Sequence, residues 1–368
     1  MSPVTQYIFD GRSWQNEVTV ARTTSLATTE PPFLLGITRP TSTNTGCDAT
    51  LIDGTLIGDQ NIRTAGTIIK NKRIEGYVII SAANVTLENC QIVGRDTSYL
   101  GYTGLVQCNS TGAFLNRCTI KPTYPRYFLN GINGSGYRAY RCNIYHVTDG
   151  LTMKGNNCIA EGCYIHDLSF FDGKNTLNGN GSEHATDTRF PGWTHNDGVQ
   201  IYGYAGNKVE GCNILGYFSG SCGTYRTAMV DGCPGGSNAG RVFPLRNYAH
   251  GVFVSPNSAV LNNVIIRNNW IEGGEVCIQS SPQGRGFDAG NSVVIDGNRL
   301  GCDQKAGYTG NPVNAYTLIS VVNTLGSFSV VNNTYDTTTS VPTALRGVPL
   351  ASGRTYSSGM VKWDVTKA

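Results

Sequence analysis

An all-β chain wound as a parallel β-solenoid is the fold this sequence predicts, and three observations lead to it. The 368 residues include 46 glycines and 33 asparagines, about a fifth of the chain, so few long helices fit. One short phrase recurs eight times: a small apolar pattern, then Cys or Asn, then any residue, then Ile or Leu. Its shortest spacings, 21 and 24 residues, are too short for a pair of helices or a propeller blade and fit one coil of short strands joined by Gly and Asn turns.

The copies run along the chain as Val85-Thr86-Leu87-Glu88-Asn89-Cys90-Gln91-Ile92, Asn116-Arg117-Cys118-Thr119-Ile120, Tyr140-Arg141-Cys142-Asn143-Ile144, Glu161-Gly162-Cys163-Tyr164-Ile165 and Glu210-Gly211-Cys212-Asn213-Ile214. Later copies exchange Cys for Asn at Asn269, Asn298 and Asn333. Cys and Asn alternate with Ile, so the column points inward, and coils stacked about 4.8 Å apart turn it into a ladder. Side chains projecting in parallel rarely meet the disulfide dihedral, so the column is expected to hold buried free thiols. Cys222 and Cys233 lie in a Gly-rich loop, where a disulfide and two free thiols are both open.

A second phrase falls between copies of the first, a Gly followed by alternating apolar residues: Gly104-Leu105-Val106-Gln107, Gly131-Ile132-Asn133, Asp149-Gly150-Leu151-Thr152-Met153-Lys154, Asp197-Gly198-Val199-Gln200-Ile201-Tyr202 and His250-Gly251-Val252-Phe253-Val254-Ser255. It supplies a second strand per coil. Composition excludes other classes. Only 14% of residues are charged, with a net charge of +3, unlike a nucleic-acid binder. Aromatic residues make up 10%, unlike a disordered chain. No apolar run approaches the roughly 18 to 20 residues of a membrane span. The start, Met1-Ser2-Pro3-Val4-Thr5-Gln6-Tyr7, has neither a basic n-region nor an apolar h-region, so folding in a cytosol is expected.

With these repeats the chain resembles the right-handed parallel β-helix proteins of the pectate-lyase-like superfamily over roughly residues 50 to 335. The resemblance implies a single-stranded right-handed parallel β-helix with long loops on the central coils. Three parts follow: an arm or attachment segment (1–45), the β-helix (46–340) and a C-terminal cap (341–368). The stretch from Arg39 to Gly46, with the first coils through Cys90, resembles the minor tail and receptor-binding proteins of phages infecting actinobacteria. That second resemblance implies a virion tail protein assembled in the host cytoplasm. Its implied partners are a cell-surface polysaccharide, other tail proteins and two further copies in a homotrimer. Secretion is the alternative localisation.

Candidate chemistry sits where the chain exceeds its repeat. The steps from Cys163 to Cys212 and from Cys212 to Asn269 are 49 and 57 residues, against a bare coil of about 22. Loops of that length are usually functional, and these two, roughly His166 to Thr194 and Leu215 to Asn247, wall one side of the central coils. The position before the second-phrase Gly reads Thr103, Asn130, Asp149, Asp197, His250, and successive coils set the last three in a row. Two carboxyls one coil apart, about 5 Å, suit a retaining glycosidase, and their repulsion raises one pKa and makes it a proton donor. The catalytic candidates are Asp149, Asp197, His250 and His195. Lys154, Trp193, Asn196, Gln200, Tyr202 and Arg246 are the substrate-binding candidates, in a region rich in rings that can stack on sugars. Asp-Gly and Asn-Gly are also ordinary turn signals, so a purely structural role for these acids stays open.

Within the superfamily, polygalacturonase-like hydrolases carry Asn-x-Asp, Asp-Asp, Gly-His-Gly and Arg-x-Lys rungs. Here Asn196-Asp197-Gly198 lacks the spacer, Ala249-His250-Gly251 has Ala for the first Gly, and the other two are absent. The lyase branch implies a Lys or Arg base, for which Lys154 and Arg246 are available. No cofactor is expected, with a Ca²⁺ site on Asp149 and Asp197 as an alternative. The expected function is that of a tail-associated receptor-binding or depolymerase-like protein that binds host cell-surface polysaccharide, with its hydrolysis left open and, if there is an activity, glycoside hydrolysis ahead of a lyase reaction. The competing readings are a free-standing bacterial polysaccharide hydrolase or lyase and a structural tail component without glycan activity.

Overall fold

The computed structural model describes residues 4–9, 14–20, 38–95, 104–123, 129–169, 196–215, 250–272, 276–282, 289–301, 315–322, 326–335, 349–350, 352–355 and 360–366. The chain divides into two units, Met1–Glu30 and Pro31–Ala368. In the first, Val4–Phe9 and Trp14–Val20 form an antiparallel hairpin. The second is a right-handed parallel β-helix.

Each coil contributes one strand to each of three long sheets. The ten-stranded sheet runs from Gly54–Ile57 to Thr334–Tyr335 and the nine-stranded sheet from Ile68–Lys70 to Ser327–Val331. The eleven-stranded sheet starts at Gln60–Ile62 and is parallel up to Ala315–Val321, where Val361–Thr366 pairs antiparallel with it. The interior is filled by columns of equivalent residues, one from each coil. Ile74, Ile92, Ile120, Ile144, Ile165, Ile214 and Ile271 stack in the ten-stranded sheet, all fully buried.

The ladder expected from sequence is present. Cys90, Cys118, Cys142, Cys163 and Cys212 are buried free thiols, followed by buried Asn269, Asn298 and Asn333. Cys and Asn share the column because both make the same bond to the preceding coil. The thiols of Cys118, Cys142 and Cys163 donate to the carbonyls of Leu87, Leu115 and Ala139, each at 3.4 Å. The amides of Asn269, Asn298 and Asn333 donate to the equivalent carbonyls of Val209, Ile266 and Ile295 at 2.9 to 3.0 Å. Immediately before the ladder the backbone turns through positive φ in every coil, at Asn89, Arg117, Arg141, Gly162, Gly211, Asn268, Gly297 and Asn332. Gly and Asn are frequent in this chain partly because that corner favours them.

The second-phrase glycines have a different cause. A Cβ on Gly150 would stand 2.5 Å from Ile165 Cγ2, and one on Gly198 would stand 2.3 Å from Ile214 Cγ2. These glycines let the eleven-stranded sheet start close against the isoleucine column. The first copy of the second phrase is registered one residue away from its sequence alignment: Gly104 pairs with Asn130 and Gln107 with Asn133. Leu105 therefore takes the glycine place there, buried against Gly94, whose own Cβ would fall 2.7 Å from the Leu105 side chain.

Residues 39–48 lie along the outside of the ten-stranded sheet as a strap. The Arg39 guanidinium meets Glu272 and Asn213, Gly46 N–H donates to the Arg141 carbonyl at 2.8 Å, and Asp48 N–H donates to Asn89 Oδ1 at 2.6 Å.

Candidate functional site

The site lies on the outer face of the eleven-stranded sheet, where Leu151–Met153, Asp197–Ile201, His250–Val254 and Val276–Ser280 are consecutive strands. Leu151, Val199, Val252 and Ile278 point into the core, which leaves Thr152, Gln200, Phe253 and Gln279 pointing outward in one column. Asp149, Asp197 and His250 stand at the strand entrances beside that column.

These three are joined. Asp197 N–H donates to Asp149 Oδ1 at 3.0 Å, and Asp197 Oδ1 lies 2.7 Å from His250 Nδ1. The same oxygen accepts the backbone N–H of His250 at 3.2 Å. Among the described residues both bonds to the Asp197 carboxylate fall on Oδ1. His250 Nε2 lies 2.8 Å from Gln279 Oε1, and the His250 ring sits 5.1 Å from the Phe253 ring. Asp197 and His250 are buried, whereas Asp149 is half-buried and is the acid that meets solvent.

Burial and the neighbouring Asp197 carboxylate push the Asp149 carboxyl well above the usual range, against the opposing pull of the Asp197 N–H and Lys154. The effect is to favour the protonated form of Asp149. Lys154 Nζ lies 5.4 Å from the centre of the Tyr202 ring; partial burial pulls the ammonium down, and Asp149 works the other way. Burial, then the two aspartates, push the Tyr202 hydroxyl up.

Of the residues expected from sequence, Asp149, Asp197, His250, Lys154, Gln200 and Tyr202 therefore come together on one face. Asn196 does not join them. It is fully buried, and its Nδ2 donates to the carbonyls of Thr148 at 2.7 Å and Ser169 at 2.8 Å, so it ties adjacent coils together beneath the site. His195, Trp193 and Arg246 lie outside the described residues, as do Cys222 and Cys233. Among the described residues no three His, Cys, Asp or Glu side chains gather as a metal-ligand set.

Gln279 is the member that sequence reading missed. Its strand, Val276-Cys277-Ile278-Gln279-Ser280, has Cys277 where its neighbours have Gly, so the second phrase does not recognise it. Alternation of Val276 and Ile278 was the available signal.

No family model matches the chain, and no curated protein matches it. Among solved structures it is similar to the alginate lyase from Paenibacillus sp. str. FPU-7. The likeness spans 76% of this chain and 91% of that one, at 11% identity and a TM-score of 0.25.

Proposed function

We propose that this chain is a polysaccharide-acting β-helix protein that holds a cell-surface glycan on the outer face of the eleven-stranded sheet and hydrolyses it. Asp149 gives its proton to the glycosidic oxygen, and Asp197, one coil away, is the paired carboxylate. The observation that carries this is the joined row Asp149, Asp197, His250, in which burial and a neighbouring charge favour the protonated form of the half-buried acid. His250, braced by Gln279, fixes the orientation of Asp197. Carboxyls one coil apart, about 5 Å, favour retention of anomeric configuration. The resemblance of residues 39–90 to actinobacterial phage tail proteins supports placing this activity on a virion tail, as a receptor-binding depolymerase built as a homotrimer.

The test is incubation with wall polysaccharide of an actinobacterial host. New reducing ends without unsaturated uronate absorbance are expected, and Asp197→Asn removes them while the far-ultraviolet dichroism stays that of the parent. Full cleavage by Asp197→Asn would falsify the assignment of this carboxylate. Uronate absorbance would instead favour the lyase, and binding with neither signal an adhesin.

A further inference from the structure

We infer that the glycan segment held at this face is uncharged, built of sugars that present hydroxyl or acetamido groups and not carboxylates. The inference rests on the hydrolytic reading above and names its substrate class. Six successive coils place Gln107, Asn133, Thr152, Gln200, Phe253 and Gln279 in one column on the outside of the eleven-stranded sheet. None of the six is charged, and Gln107, Gln200 and Gln279 are the half-buried ones that reach solvent. A carboxamide offers donors and an acceptor together, which matches a sugar hydroxyl or an acetamido group, each of which also does both.

The carboxylate beside this column has the wrong sign for an acidic polymer. Asp197 flanks Gln200, and the raised pKa of the adjacent Asp149 shows how poorly this place accepts a second negative charge, so a uronate carboxylate seated there would meet the same opposition in a site partly withdrawn from water. Lys154, the cation of this patch among the described residues, stands at the exposed edge with its ammonium over the Tyr202 ring and not over the carboxamide column. A neutral sugar meets no such opposition, and Tyr202 adds a half-buried ring beside it.

The experiment uses the full chain and the wall polysaccharide extract, untreated and after carbodiimide and borohydride reduction of its uronic acids to neutral hexoses. Reducing-end release within about two-fold between the two forms is expected. Raising ionic strength from about 0.05 to about 0.5 M is expected to change KM by less than about three-fold, since screening has little to act on. Release that disappears on carboxyl reduction, or a KM that climbs ten-fold or more with salt, overturns the neutral assignment while leaving hydrolysis in place. Release from neither form overturns the hydrolytic reading and this inference with it, so the two failures are distinguishable.

Discussion

At the residue scale the consequential group is the Asp149 carboxyl. Its native pKa is raised above the unfolded value of about 3.9, so between those two values the folded chain holds a proton that the unfolded chain has lost. Stability therefore falls as pH rises through that window. Asn at 149 cannot ionise, yet its Oδ1 can still accept the Asp197 N–H. Asp149→Asn is thus expected to match the parent at pH 3.5 and to exceed it increasingly above pH 4 in urea midpoint, while cleavage falls by about 10²-fold or more. A variant less stable than the parent at pH 8 would show that the charge is accommodated after all. Gly162 makes the complementary backbone case. It has φ 59° with only the Arg141 side chain, 3.4 Å away, near an added Cβ, so space is available and conformation is not. Gly162→Ala should cost about 1 kcal/mol, read by urea denaturation, with enzymatic activity unchanged.

At the element scale the ladder shows how two unlike residues serve one corner. Asn298 accepts from Asn269 N–H at 3.0 Å and from its Nδ2 at 2.9 Å, while donating to the Ile266 carbonyl and to Asn333 Oδ1. Asn298→Ala leaves several buried groups without partners and should cost about 2–3 kcal/mol. Asn298→Cys restores the bond to the preceding coil that the cysteines make and is expected to recover a measurable part of that loss. Equal midpoints for the Ala and Cys variants would sink the equivalence. Because Cys and Asn stand at a fixed offset from Ile, this ladder was legible in sequence, and with it the coil count through the middle of the chain. The outer face was legible only where Gly opens the strand. Leu105 in the glycine place shifted the first copy of the second phrase by one residue, and Cys277 in that place hid Gln279. Asn196 could not be placed because it sits one position before a strand entrance, where burial depends on the neighbouring coils and not on local alternation.

At the scale of the whole molecule, a solenoid has two ends, and each exposes the strand edges of its last coil. The C-terminal end is treated explicitly. Val361–Thr366 reverses direction and pairs along Ala315–Val321, and Arg354–Thr355 pairs in turn with Lys362 and Val361, so the seven-residue parallel edge is covered by an antiparallel strand whose own outer edge is partly paired. Trp363 packs partly buried against the core from this strand, and Leu350 N–H donates to the Asn333 carbonyl at 2.9 Å, tying the segment to the last ladder residue. A long, regular parallel edge is a template for pairing with another chain, and a short antiparallel one is a poor template. Ending the chain after residue 350 is therefore expected to leave the central coils and the Asp149 site folded while the protein shifts to larger, concentration-dependent species in light scattering. Restoring the segment with Trp363→Ala separates the two contributions: edge coverage without the ring should keep the association state of the parent and lower the melting temperature. If the truncated chain instead scatters like the parent, strand pairing at this end is not what limits association. In that event the Trp363 contact remains the segment's measurable contribution.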